Sequence, residues 1–90
     1  MRELHAIIHG KVQGVFFRAW TRDTAQALGL CGWVRNLPDG SVETVAQGEE
    51  TTLKRFERSL HQGPPLSRVI EVQSTLRDPV ETGLRFEIRR

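Results

Sequence analysis

Apolar side chains fill most of positions 4 to 10, interrupted by His5 and His9, and Leu4 to Gly10 predicts a buried strand. Gly10 and Gly14 bracket the next few residues and mark irregular backbone. From Phe17 the period lengthens. Phe17, Thr21, Thr24 and Leu28 fall on one face of a helix that Gly29 stops. Cys31 to Asn36 predicts a strand, Leu37-Pro38-Asp39-Gly40 a turn, and Ser41 to Gln47 the returning strand of a hairpin. In that hairpin Trp33 and Val42 are expected to pack, and Asn36 to fix the turn through its amide. A second helix follows from about Thr51 to Gln62. Thr51 or Thr52 is its expected cap, and Leu53, Phe56 and Leu60 form its apolar stripe. Gly63-Pro64-Pro65 ends it. Val69 to Gln73 predicts another strand. Leu84, Phe86 and Ile88 alternate with Arg85, Glu87 and Arg89 in a last, half-buried one.

The order is strand, helix, strand, strand, helix, strand, with a short strand appended. Two helices cannot cover both faces of so small a sheet, so they are expected to share one. The expected class is α+β: a ferredoxin-like two-layer sandwich, βαββαβ, with an antiparallel sheet of four core strands plus the short C-terminal strand. Right-handed crossovers are expected to leave the first and third strands central and parallel. The loop after the first strand then opens beside the strand that carries Asn36.

Ninety residues suit one domain spanning 1–90, with a radius of gyration about 12 Å. Leu, Ile, Val and Phe make up 25 of the 90, too many for a disordered chain. Net charge is only +2, and acidic residues recur along the whole length, so nucleic-acid and membrane partners are not expected. Eleven of the thirteen cations are Arg, the side chain better suited to two-point contact with carboxylate or phosphate. The single Cys31 excludes an internal disulfide and a Cys-based zinc cage, and is expected simply to pack. His5 and His9 share a strand face but stand roughly 13 Å apart at about 3.3 Å per residue, too far to share a metal. No apolar run approaches the roughly 20 residues of a bilayer span, and the N-terminus has no signal core. The expected setting is the cytoplasm, and nothing demands more than a monomer.

Two stretches carry candidate chemistry. Gly10-Lys11-Val12-Gln13-Gly14-Val15-Phe16-Phe17-Arg18 joins a strand to a helix N-terminus, where unpaired N–H groups and the helix dipole favour an anion. Arg18, in the first turn, opposes that dipole unless an anion lies between guanidinium and amides. The Gly-Lys-Ser/Thr ending of a P-loop is absent. The second stretch is Gly32-Trp33-Val34-Arg35-Asn36, followed by Leu37 to Glu43. Alone it reads as a good hairpin. His5, His9 and His61 read as surface or half-buried positions, and Trp20 and Trp33 as packing or rim groups. Lys11 suits either a solvated loop or added positive potential at the mouth.

Taken together, the two stretches closely resemble the acylphosphatase family. Gly10 to Arg18 matches its first signature, with Lys11 where Arg is commoner. Gly32 to Asn36, then Gly40-Ser41-Val42 and Gly48, matches the second, spacing included. Leu28-Gly29-Leu30, Gly63-Pro64-Pro65 and Phe86-Glu87-Ile88-Arg89 also look like the family, so the resemblance covers nearly the whole chain. It departs at Arg89-Arg90, where many members place an aromatic last.

The resemblance implies hydrolysis of acyl phosphates to carboxylate and inorganic phosphate, with no metal and no cofactor. It places the phosphate-binding arginine at Arg18, the phosphate loop at Gln13, Gly14, Val15, Phe16 and Phe17, and the water-positioning asparagine at Asn36. A departing carboxylate has a pKa near 4 by analogy with Asp and Glu, so no general acid need protonate it. The rival readings are a nucleic-acid-binding module and a non-catalytic anion-binding or regulatory domain. The first is opposed by Leu4 to Gly10 and Ser41 to Gln47, which contain no aromatic residue for base stacking. The second is opposed by the presence of both Arg18 and Asn36. Nothing between the two signatures reads as an acyl pocket.

Overall fold

A computed structural model describes residues 1–79 and 83–90. The described elements are β1 (Arg2–Lys11), α1 (Phe17–Ala27), β2 (Cys31–Asn36), β3 (Val42–Gly48), α2 (Glu50–Gln62), β4 (Arg68–Arg77) and β5 (Phe86–Ile88). The strands form one sheet in the order β4-β1-β3-β2-β5.

Strand alternation sorts the side chains. Leu4, Ala6 and Ile8 of β1 face the helices, as do Val42 and Ala46 of β3, Val34 of β2 and Phe86 of β5. The helices close this face with Phe17, Thr21 and Ala25 from α1 and Leu53, Phe56 and Leu60 from α2. Phe56 meets Phe86 edge-on at 6.1 Å, and the buried Thr21 hydroxyl donates to the Phe17 carbonyl at 2.8 Å. The Cα radius of gyration is 11.7 Å, as a compact chain of this length requires.

The opposite face is polar and tied crosswise. Glu3, almost wholly buried, accepts from Gln47 Nε2 at 2.8 Å and pairs with Arg77. Glu43 bridges His5 and Arg35, each at 2.7 Å. Arg35 and Arg89 both stack on the Trp33 ring, at 5.2 and 4.9 Å from its centroid. Burial alone would raise the Glu43 carboxyl, but hydrogen bonds with His5 and Arg35 outweigh it and hold the group below its ordinary range.

The structure corrects several expectations. β1 and β3 are central, but they pair antiparallel. The crossover relates β1 to β2, and the tight β2–β3 hairpin then reverses β3 against β1. The sheet is mixed, because β5 runs parallel to β2. Trp33 and Val42 lie on opposite faces: Trp33 pairs with Val45, and Val42 with Asn36. Glu49, not Thr51 or Thr52, occupies the cap of α2, without a side-chain cap bond. Leu84 is fully exposed and lies outside β5, whereas Phe86 is buried. β4 reaches Arg77, beyond the expected Gln73, because its outer half pairs with β1 although its exposed side chains show no clean alternation.

Candidate functional site

The segment between β1 and α1 is pinned from below. Val12 and Val15 drop into the core, at 1% and 5% exposure, so the chain between them must arch outward. Gly10 makes this exit possible. Its φ of 132° sits at a register shift between β1 and β4, where a Cβ would collide with the Arg68 carbonyl. Gly14 takes φ 73°, and a Cβ there would meet nothing, so backbone conformation and not crowding selects glycine. Phe16 takes φ 62°, ψ 25° at the cap of α1, a left-handed conformation that costs a bulky residue about 1–3 kcal/mol. The residue is 77% exposed, so burial does not repay that cost.

The left-handed turns leave the loop amides unclaimed. Among the described residues, no backbone acceptor engages the N–H groups of Gly14 to Arg18. The first turn of α1 contains no acidic residue, and Arg18 stands there half-buried with no ion pair or hydrogen bond among the described residues. Successive amides beside an uncommitted guanidinium make a receptor for an anion.

Asn36 reaches the same place from the far side of the sheet order. It ends β2 on the face of Val34 and Val42, so its side chain lies on the helix side. Its Oδ1 is buried without a hydrogen-bond partner among the described residues. The hairpin turn does not use it. That work falls to Gln13, whose Nε2 donates to the carbonyls of Leu37 and Ser41 at 2.8 and 2.9 Å. Asp39 is committed too: the Ser41 hydroxyl and N–H donate to it and hold its carboxyl below the usual range.

One cavity of about 740 Å³ brings these groups together, within the range of small-molecule sites. Gln13, Gly14, Phe16, Phe17, Arg18 and Asn36 line it, together with Val12, Ala19, Ile88 and Arg90. Val15 is turned into the core and lends only its backbone to the loop. Lys11 ends β1 opposite Arg68 and is not part of the lining. Val12, Ala19, Ile88 and Arg90 were not read as site residues from sequence. The alternation that turns Phe86 inward also turns Ile88 and Arg90 the same way, and was the available signal.

The chain matches the Acylphosphatase family over residues 4–88. It is 46% identical to an acylphosphatase of Rubrobacter xylanophilus, over 98% of this chain and 80% of that protein. An acylphosphatase of Nitrosococcus oceani is 45% identical over 96% of both chains. The crystal structure of acylphosphatase from Bacillus subtilis superposes over the whole of both chains with a TM-score of 0.96, at 37% identity. With the family match, the identities and the superposition in agreement, the chain belongs to the acylphosphatase family.

Proposed function

We propose that the cavity holds the phosphoryl group of an acyl phosphate between the Gly14 to Arg18 amides and the Arg18 guanidinium, and that Asn36 aims the attacking water. The observation that carries this reading is the meeting of Arg18 and Asn36, from two distant signatures, in one cavity with neither committed elsewhere among the described residues. Phosphoryl transfer is largely positioning and charge stabilisation, which amides, one guanidinium and one amide side chain can supply. Water attacks phosphorus in line and the bond to the acyl oxygen breaks. The carboxylate leaves with the bonding pair, and the proton given up by the water passes to phosphate or solvent. Two carbonyl bonds through Gln13 keep the Asn36 hairpin at a fixed distance from the loop.

The reading takes residues 1–90 as one catalytic domain, acting as a cytoplasmic monomer without metal or cofactor. The lone Cys31 agrees with a reducing setting. Among the described residues no helix is long and apolar enough to cross a membrane. The test is phosphate release from benzoyl phosphate in excess chelator, with an alkyl phosphate monoester as control. Rapid release from the acyl phosphate alone is expected. Loss of turnover on chelation, or equal hydrolysis of the monoester, would refute the reading.

A further inference from the structure

The cavity has two walls. The loop and the start of α1 bring Gly14, Phe16 and Arg18, while β2 and the chain running out of β5 bring Asn36, Ile88 and Arg90. On the strand wall Val34 pairs with Ile88, and the Arg89 N–H donates to the Val34 carbonyl at 2.8 Å, so the parallel ladder runs one step past β5. A further step in that register sets Arg90 level with Asn36, on strands about 4.8 Å apart. Alternation turns both side chains to the face of Val34 and Ile88, and both line the cavity.

The two neighbours have opposite hydrogen-bonding needs. Asn36 Oδ1 is a buried acceptor, and the Arg90 guanidinium carries only donors. Neither has a hydrogen-bond partner among the described residues, and they are not bonded to each other. The adjacent Arg89 is committed on the opposite face, stacked on Trp33 and 3.8 Å from Glu87. Among the described residues that line the cavity none carries a carboxylate, so nothing there competes for Arg90. An acceptor and a donor side by side but unbonded suit a small molecule that donates to one and accepts from the other. Water does both.

We infer that Arg90 is a further catalytic residue, which holds the attacking water together with Asn36 by donating to the water oxygen while the water donates to Asn36 Oδ1. The inference rests on the assignment of the water to Asn36 above and adds a second contact to it. A water has two hydrogens and two lone pairs in tetrahedral directions. With one hydrogen on Asn36 and one lone pair taken by Arg90, the other hydrogen lies toward a phosphoryl oxygen and the other lone pair toward phosphorus. That pair forms the new bond as the bond to the acyl oxygen breaks and the carboxylate leaves with its electrons. The proton still goes to phosphate or solvent, because a guanidinium stays protonated throughout. The contribution of Arg90 is orientation of the nucleophile.

Arg90→Met, Arg90→Lys and the double variant Arg90→Met with Asn36→Ala test this on benzoyl phosphate. Arg90→Met should lower kcat and kcat/KM together by about tenfold, with inhibition by inorganic phosphate nearly unchanged. Arg90→Lys should recover most of that loss, since one N–H is enough for one water. In the Asn36→Ala background Arg90→Met should cost about twofold or less, because the water has already lost its orientation. Phosphate inhibition that weakens in step with turnover would make Arg90 a ligand of the phosphoryl group and overturn the inference. A full tenfold loss in the double variant relative to Asn36→Ala would separate Arg90 from the water and do the same, as would unchanged turnover in Arg90→Met. Full turnover in Asn36→Ala alone is a different failure, that of the water assignment itself.

Discussion

Among the described residues Arg18 and Asn36 both lack partners, but their proposed work differs in timing. On the proposed reading Arg18 touches phosphate before and during reaction, so Arg18→Ala should raise the inhibition constant of inorganic phosphate and lower turnover as well. Arg18→Lys should rescue little, because a point charge does not reproduce a planar fork. On the same reading Asn36 meets the water chiefly as it attacks. Asn36→Ala should therefore reduce kcat and kcat/KM together by about 10²–10³-fold, leaving phosphate inhibition nearly unchanged. Steady-state kinetics on variants of native-like circular dichroism decide it. Asn36 needs no allowance for a lost turn bond, since its side chain makes none among the described residues. Equal loss of phosphate affinity in both variants would refute the division of roles.

At the scale of elements, the hairpin and the phosphate loop behave as one unit because Gln13 spans them. Gln13→Ala strips donors from two part-buried carbonyls, which should cost about 1–3 kcal/mol in urea unfolding. Turnover should fall further than the unfolded fraction explains, since Asn36 is then free to drift. Gln13→Glu should not rescue, because a carboxylate cannot donate to a carbonyl. The periods along the chain made every element legible, and the glycines with Arg18 and Asn36 marked residues that one cavity brings together. What pattern could not reveal was partnership. Asn36 and Gln13 carry the same amide chemistry, and only the arch over Val12 and Val15 decides which of them reaches the turn. The direction of β3 was derivable from the hairpin, since a strand returning from β2 must oppose β1. Leu84 was misleading because alternation continues in sequence past the point where β5 has a neighbouring strand.

For the whole molecule, ligand and protons both act through linkage. Inorganic phosphate should inhibit competitively and stabilise the chain by about 2.7 kcal/mol at a hundred times its dissociation constant. Thermal unfolding across a phosphate titration measures this, and Arg18→Ala should abolish most of it. Glu43 sets an acid limb. Its folded pKa lies below its unfolded value, so its contribution is present above the ordinary glutamate range and is lost as pH falls through the folded value. Glu43→Gln should flatten the stability profile below about pH 4.5, measured by urea unfolding across pH. A steeper acid limb in the variant would contradict that sign. The Gln13 contacts join residues 24 and 28 positions apart in the chain, so no short segment can assemble the receptor alone. The proposed site is therefore expected to be complete only when the hairpin has docked on β1. By the same coupling, phosphate should slow amide hydrogen exchange in the Leu37–Ser41 turn as well as in the loop it touches, so that occupancy is felt in a turn outside the cavity.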